Sequence, residues 1–325
     1  MKVIFSRIYI EKANEGSVIQ DRTSLLAWFW SVLNWNRLGY ETILYTDQIT
    51  KTEFETLGLA KLYSQVKLIN PTNIDKEVFW ANAKIVSTKQ FMREYPGEAF
   101  MISDLDYIPL VDPKDFRTAD DQLVCFYGEY LPMYAPINKL HLHPAYKIPD
   151  FFTGKVDPIN TCLLYIQESL LPLMDAYLDM EMDFMNYHYA FESGQISNDL
   201  MTFIEQQLFS EYMVANGISF VYVNPKNKSV FNVNGLHTGP YKALEKTEYW
   251  KWIIWYLKVL REEYPNVYND IIHLDLYSDV KKIIDEGNGT YKDKKDREKE
   301  IKEFSWDTLE YPKAFEDIYD PVWRD

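Results

Sequence analysis

The sequence predicts an α/β fold: a mostly parallel mixed sheet flanked by helices, with a helical, charged C-terminal extension. Three observations carry this expectation. Short apolar runs suited to strands alternate with longer helical patterns through the first hundred residues. Such alternation favours a parallel sheet whose helices cover its faces. The run Ala99-Phe100-Met101-Ile102 is continuous, follows Pro96-Gly97, and reads as a strand buried on both sides.

Taken in order, residues 3–10 read as a strand. Residues 22–38 read as a helix with apolar residues on most faces, stopped by Gly39 as a C-cap. A short strand over 41–45, a small helix over 51–57 and a strand over 65–69 follow. Residues 77–95 carry Phe79, Ala83, Val86 and Phe91 on one side of a helix, and the Ala99 strand comes next.

Beyond it, 122–127 is a strand and 129–158 a long passage rich in proline and aromatics, a length that usually signals a binding loop or lid. Residues 160–166 form an apolar strand and 168–186 a helix. Residues 197–216 form a helix with Ser197 as N-cap and Gly217 as its stop. Strands over 218–223 and 230–233 lead to a turn-rich loop, 234–242. From 245 the character changes: residues 249–260 form a Trp-rich helix, apolar on most sides, that either packs on the core or lies on an amphipathic surface. Charge dominates 285–303, as in a solvated helix or flexible segment. The chain divides into residues 1–245 and an extension over 246–325.

The net charge of −15 disfavours nucleic acid and anionic lipid as partners, so an anionic ligand needs a local metal or basic cluster. Two cysteines, Cys125 and Cys162, sit in separate apolar runs and fit a reducing compartment better than a disulfide framework. The first residues lack the apolar core of a signal peptide, and no window reaches the length of a membrane span. The expected location is the cytoplasm, with peripheral membrane association at most. Aromatics reach 16%, enough for some to line a cleft that stacks against sugars or bases.

The chemistry concentrates after the Ala99 strand, in Ser103-Asp104-Leu105-Asp106. Side chains at i and i+2 of an extended chain share a face, with Cα atoms roughly 6.5 Å apart. Two carboxylates converging in this way need a cation between them, and a hard divalent metal suits oxygen ligands. An acidic turn capping the strand is the alternative. In parallel sheets ligands sit beyond the carboxyl ends of the strands, where Ser6-Arg7, Asp47 and the Asp104/Asp106 pair are expected. Neither a Gly-x-Gly-x-x-Gly nor a Walker A sequence occurs, which argues against dinucleotide oxidoreductases and P-loop enzymes.

Further motifs stand in order behind this pair: Ile159-Asn160-Thr161-Cys162-Leu163, Glu205-Gln206-Gln207, and His237-Thr238-Gly239-Pro240-Tyr241-Lys242. Together they resemble the GT-A glycosyltransferases that use nucleotide sugars. The resemblance is closest to retaining galactosyltransferase-like enzymes of glycosyltransferase family 8 and related bacterial polysaccharide-synthesis enzymes, and it covers residues 1–245. The family's Asp-x-Asp corresponds to Asp104-Leu105-Asp106 and its Phe-Asn-Ala-Gly strand to Ile159-Asn160-Thr161-Cys162. Its late His-x-x-Gly-x-x-Lys loop corresponds to His237, Gly239 and Lys242, shortened by one residue, with Ala243-Leu244 where Pro-Trp is usual.

The resemblance implies a metal site of Asp104, Asp106 and His237 that binds Mn²⁺ or Mg²⁺, with Asp104 also reaching the ribose. It implies nucleotide contacts from Lys84, Lys242 and the backbone at Gly239. Asn160, Glu205 and Gln206 are placed near the transferred sugar. Each has a plainer alternative: a loop hydrogen bond for His237, solvated lysines for Lys84 and Lys242, a strand-start hydrogen bond for Asn160, and an exposed helical turn for Glu205 and Gln206. The implied reaction moves a hexose from a nucleoside-diphosphate sugar to a saccharide or lipid-linked acceptor. The rivals are a non-catalytic nucleotide-sugar or carbohydrate-binding protein on a decayed scaffold, and a sugar-phosphate nucleotidyltransferase. Ser6-Arg7-Ile8-Tyr9 lacks the Gly-rich basic signature of the latter. The histidines of His141-Leu142-His143 lack a third ligand and are read as loop residues, and His188 and His273 are given no role.

Overall fold

In a computed structural model, residues 1–9, 22–69, 81–129, 131–140, 142–189, 198–224, 231–232, 235–237, 249–274, 277, 281, 288–289 and 304–305 are described. A seven-stranded sheet forms the centre, built from β1 (Lys2–Arg7), β2 (Glu41–Thr46), β3 (Gln65–Leu68), β4 (Phe100–Ser103), β6 (Gln122–Cys125), β7 (Leu163–Ile166) and β8 (Ser219–Tyr222). Their order is β3-β2-β1-β4-β7-β6-β8. The strands β3, β2, β1 and β4 are mutually parallel; β7 runs antiparallel to both its neighbours, β4 and β6; β8 is parallel to β6. The expected α/β class, with a mixed and mostly parallel sheet, is what the chain forms.

Helices cover both faces of the sheet: α1 (Arg22–Arg37), α2 (Gln48–Thr56), α3 (Asn82–Glu94), α4 (Leu171–Tyr189), α5 (Asn198–Thr202), a π-helical turn (Phe203–Leu208), α6 (Phe209–Ala215), α7 (Tyr249–Glu263) and α8 (Pro265–Ile272). The alternation along β1 shows how two cores arise. Val3 and Phe5 face a core shared with Leu25, Phe29 and Trp35 of α1 and Leu257 of α7, whereas Ile4 faces the core of α3, α4 and α6.

Several boundaries follow local chemistry. Helix α1 ends in Gly39 at φ 81°, where Gly39 N–H donates to Asn36 O at 2.9 Å and Tyr40 N–H to Trp35 O at 3.1 Å. A left-handed residue there is the glycine role expected of a C-cap. Helix α2 starts earlier than the expected 51, because Asp47 acts as N-cap and accepts from Thr50 N–H at 2.8 Å. Its second oxygen accepts from Tyr9 N–H at 2.8 Å. Asp47, expected at the ligand edge, therefore ties α2 to the end of β1.

Two regions depart from the sequence reading more consequentially. The stretch expected as a turn-rich loop contains β10 (Gly235–His237), which pairs antiparallel with β5 (Tyr107–Pro109) and with β9 (Phe231–Asn232). The helix expected over 197–216 is not uniform, since its middle six residues form the π-helical turn; Ser197 lies outside the described residues. The Trp-rich helix α7 packs on α1, with Tyr256, Leu257 and Leu260 buried and the Tyr256 ring edge-on to Trp30 at 5.4 Å. Core packing is thus the alternative realised by that face. No helix among the described residues is long and apolar enough to cross a membrane. Most of the charged stretch lies outside the described residues; within it β11 (Asn288–Gly289) pairs with β12 (Phe304–Ser305), which follows the stretch. Cys125 and Cys162 are free and buried, as expected.

Candidate functional site

The site grows from the end of β4. Asp104 and Asp106 do not continue the strand as extended chain: Tyr107 N–H donates to Asp104 O at 3.2 Å, closing a β-turn between β4 and β5. The turn is held from three sides. Asp104 N–H donates to Cys162 O at 2.8 Å, Ser31 Oγ of α1 donates to Tyr107 O at 2.6 Å, and Trp35 Nε1 donates to Ser103 Oγ at 3.2 Å. The buried aromatic helix α1 therefore fixes the acidic turn from below. The shared face expected from i, i+2 spacing is supplied by the turn and not by a strand.

The β5–β10 ladder brings the third member. His237 lies opposite Tyr107 in the register, and its Nε2 is 3.7 Å from Asp106 Oδ1. Ligand atoms of Asp104, Asp106 and His237 all lie within 4.8 Å of one another. Tyr127 OH hydrogen-bonds to His237 Nδ1 at 3.2 Å, which leaves Nε2 directed at the acidic pair. Two carboxylates and an imidazole suit a divalent first-row ion, and an outer hydrogen bond that orients the ring is what a metal-binding histidine needs. These residues fit the metal implied by the resemblance.

Lys84 of α3 occupies the other side. Its Nζ is 2.8 Å from Asp104 Oδ1 and 2.6 Å from Glu205 Oε1, and it donates to Thr161 O at 3.3 Å. Burial alone would lower the Lys84 pKa; the charges of Asp104 and Glu205 outweigh it, and the net direction is up. Lys84 is thus a firmly held cation and not a solvated lysine. The Asp104 carboxyl is pushed up, by burial first and then by Asp106 and Glu205, against the pull of Lys84. Arg7, at the end of β1, shifts the other way: burial lowers its pKa while Asp106, Asp47 and Glu53 oppose the change. Its guanidinium lies over the Trp28 ring, 5.3 Å from the centroid.

The Glu205-Gln206-Gln207 motif falls in the π-helical turn. Glu205, Gln206 and Gln207 are all buried, within a stretch from Phe203 to Glu211 that is buried at every position. Widened turns of this kind recur at functional sites. Glu205 Oε1 accepts from Thr161 Oγ1 at 2.8 Å as well as from Lys84, and Gln206 Oε1 accepts from Tyr134 OH. The exposed-turn alternative for Glu205 and Gln206 is not what forms. Asn160 Oδ1 accepts from Cys162 N–H at 2.9 Å, and its Nδ2 donates to Glu129 Oε1. Both ends of this amide are used in shaping the approach to β7.

One cleft of about 280 Å³ lies at the carboxyl ends of β1 and β4, lined among others by Arg7, Trp28, Lys84, Asp106, Gln206 and His237. Of the residues expected from sequence, Lys84, Asp104, Asp106, Asn160, Glu205, Gln206 and His237 all line it. Gly239 and Lys242 lie outside the described residues, as does His141. His143 stacks near Tyr187, with centroids 5.9 Å apart. Arg7 stands at the ligand edge where Ser6-Arg7 was expected, whereas Trp28 and Thr161 line the cleft without having been singled out; the supporting contacts of Tyr127, Glu129 and Tyr134 were not individually foreseen. Tyr127 and Glu129 follow β6, and the rule that ligands collect beyond strand ends could have singled them out.

The chain matches no protein-family model and no curated protein sequence. Solved structures that share a partial likeness of shape include three glycosyltransferases. A PaToxG glycosyltransferase is 12% identical, with 66% of this chain and 69% of that one covered at a TM-score of 0.37. The galactosyltransferase LgtC, solved with donor and acceptor sugar analogues, is 10% identical, with coverage of 68% and 73% and a TM-score of 0.36. A glycosyltransferase involved in glycosylation of the major capsid of PBCV-1 is 10% identical, with coverage of 61% and 79% and a TM-score of 0.28.

Proposed function

We propose that this protein is a metal-dependent glycosyltransferase of GT-A type, moving a hexose from a nucleoside-diphosphate sugar to a saccharide or lipid-linked acceptor. The observation that carries the reading is the convergence of Asp104, Asp106 and His237 within 4.8 Å in a cleft lined also by Trp28, Arg7 and Lys84. A divalent ion held there, Mn²⁺ or Mg²⁺, would supply Lewis-acid stabilisation of a departing diphosphate. Tyr127 fixes the His237 ring, and the β5–β10 ladder fixes its distance from the acidic turn. Lys84 and Arg7 put positive charge beside the carboxylates, which a protein of net charge −15 needs if an anionic donor is to stay bound. Glu205 and Gln206 line the cleft and face the space where the transferred sugar would lie. The aromatic passage after β6 forms the acceptor side. In this reading residues 1–245 form the transferase domain, and 246–325 an extension whose helix α7 docks on α1.

The test is calorimetric titration of UDP, GDP and UDP-sugars, with and without Mn²⁺, on wild type and Asp106→Ala. The expected result is binding that requires Mn²⁺ and is lost in the variant. Metal-independent binding that survives Asp106→Ala would overturn the reading. Hydrolysis or transfer of the donor separates an enzyme from a binding protein on the same scaffold.

A further inference from the structure

Behind the cleft lies a second, smaller chamber of about 20 Å³, walled by Lys84 and Thr88 of α3, Leu178 and Glu181 of α4, Thr161, and Glu205 of the π-helical turn. Glu181 is 4% exposed and has no part in the chemistry described above. Glu205 is asymmetrically satisfied. Its Oε1 receives both Lys84 and Thr161, while its Oε2 is buried with no hydrogen-bond partner among the described residues. An anionic oxygen sealed from water without a donor is costly, so a donor on its side of the chamber is called for. The remaining walls are apolar: Ile102, Leu164, Met174 and Phe209 offer no hydrogen bond through their side chains. Lys84 is already shared between Asp104 and Glu205. A carboxyl group becomes a donor when it carries its proton, and a chamber of this size holds one water where Glu181 and Glu205 serve as its polar partners.

We infer that Glu181 is a positioning residue: held as the neutral acid, it supplies, directly or across one water in the chamber, the hydrogen bond that Glu205 Oε2 lacks. The surroundings agree with this protonation state. Burial, and after it the charge of Glu205, raise the Glu181 pKa well above the ordinary glutamate range, with only Lys84 opposing. The consequence reaches the cleft through Lys84. With Glu181 neutral, Glu205 is fixed from behind and the ammonium stays shared with Asp104. With Glu181 ionised, a third carboxylate competes for that ammonium. The role in sugar transfer rests on the function proposed above; the protonated acid does not.

The experiment uses the full chain at neutral pH. Infrared difference spectra of wild type and Glu181→Gln, in H₂O and D₂O, report the carbonyl band of a protonated carboxylic acid. A band present in wild type, shifted by deuterium and absent from Glu181→Gln supports the inference; its absence from wild type, or its persistence in the variant, overturns it. Mn²⁺ titrations in the presence of UDP give the positioning role. Glu181→Gln, which keeps a donor, is expected to bind within about threefold of wild type. Glu181→Met, which has none, is expected to bind roughly tenfold more weakly, the scale of outer-shell effects on metal sites. Equal affinity of the Gln and Met variants would overturn the positioning role. If Glu181→Met does not fold, the infrared comparison still decides the protonated acid. Should wild type itself bind no Mn²⁺, the metal reading falls while the infrared result stands.

Discussion

His237 sits directly across the β5–β10 ladder from Tyr107, the residue that follows Asp106, and this pairing sets its Nε2 3.7 Å from the Asp106 carboxylate. Two residues more than a hundred positions apart thus become neighbours through strand register, which a flexible loop would not fix. The Tyr127 hydroxyl then selects the ring's orientation.

Tyr127→Phe removes that orienting bond while keeping the ring in place. Outer-shell partners of metal-bound histidines are worth roughly 10–100-fold in affinity. Mn²⁺ binding followed by electron paramagnetic resonance is expected to weaken by about that factor with little change in stability. Unchanged affinity would mean that His237 is not a ligand.

Lys84→Met deletes the cation between Asp104 and Glu205, of which Glu205 is almost wholly buried. Breaking a buried pair by removing one partner typically costs about 3–5 kcal/mol. Because Asp104 is partly exposed, the lower end of that range is expected, read as a shift of the urea unfolding midpoint. A loss below about 1 kcal/mol, the worth of a surface pair, would show that the cluster is solvated.

Glu181 gives stability a pH dependence of definite sign. Its pKa is raised in the folded chain, with Lys84 and Glu205 the charged groups facing it, so the native state keeps a proton that the unfolded chain releases near about pH 4.3. Its favourable contribution is complete below that value and is lost as pH rises towards and through the native pKa. Urea unfolding at about pH 5 and about pH 8 is expected to show wild type losing stability relative to Glu181→Gln as pH rises. An increase would contradict the buried acid.

Glu211 of α6 clamps the loop that leads to Asn160. Its carboxylate accepts from Thr153 Oγ1 at 2.9 Å, Lys155 N–H at 2.8 Å and Val156 N–H at 3.1 Å, while neighbouring Ser210 Oγ accepts from Ile159 N–H at 2.9 Å. Glu211→Ala leaves those amides without their acceptor, at a cost of roughly 2–4 kcal/mol. Limited proteolysis within residues 143–157 is expected to accelerate, since local opening governs cleavage. Cleavage at the wild-type rate would assign the loop's order to its aromatic packing instead.

Much of this molecule was legible in the sequence because its signals are local. The apolar runs of β1, β2 and β4, the glycine that ends α1 and the acidic pair behind the Ala99 strand depend on neighbours along the chain, and the sequence spells those out. The buried cysteines followed from the apolar runs that hold them. What tertiary structure alone decided is pairing across distance. That His237 belongs to a strand depends on a partner, Tyr107, which no period in residues 234–242 announces. Lys84 as the shared counter-ion of Asp104 and Glu205 depends on α3 and the π-helical turn packing on the same face of the sheet. The turn itself is invisible to hydrophobic periodicity, because the helix around it is buried at every position from Phe203 to Glu211, polar residues included. Composition and local pattern determined the layers and the acidic edge; which charges meet there was decided by register and packing, since electrostatic partners are chosen by distance in space and not along the chain.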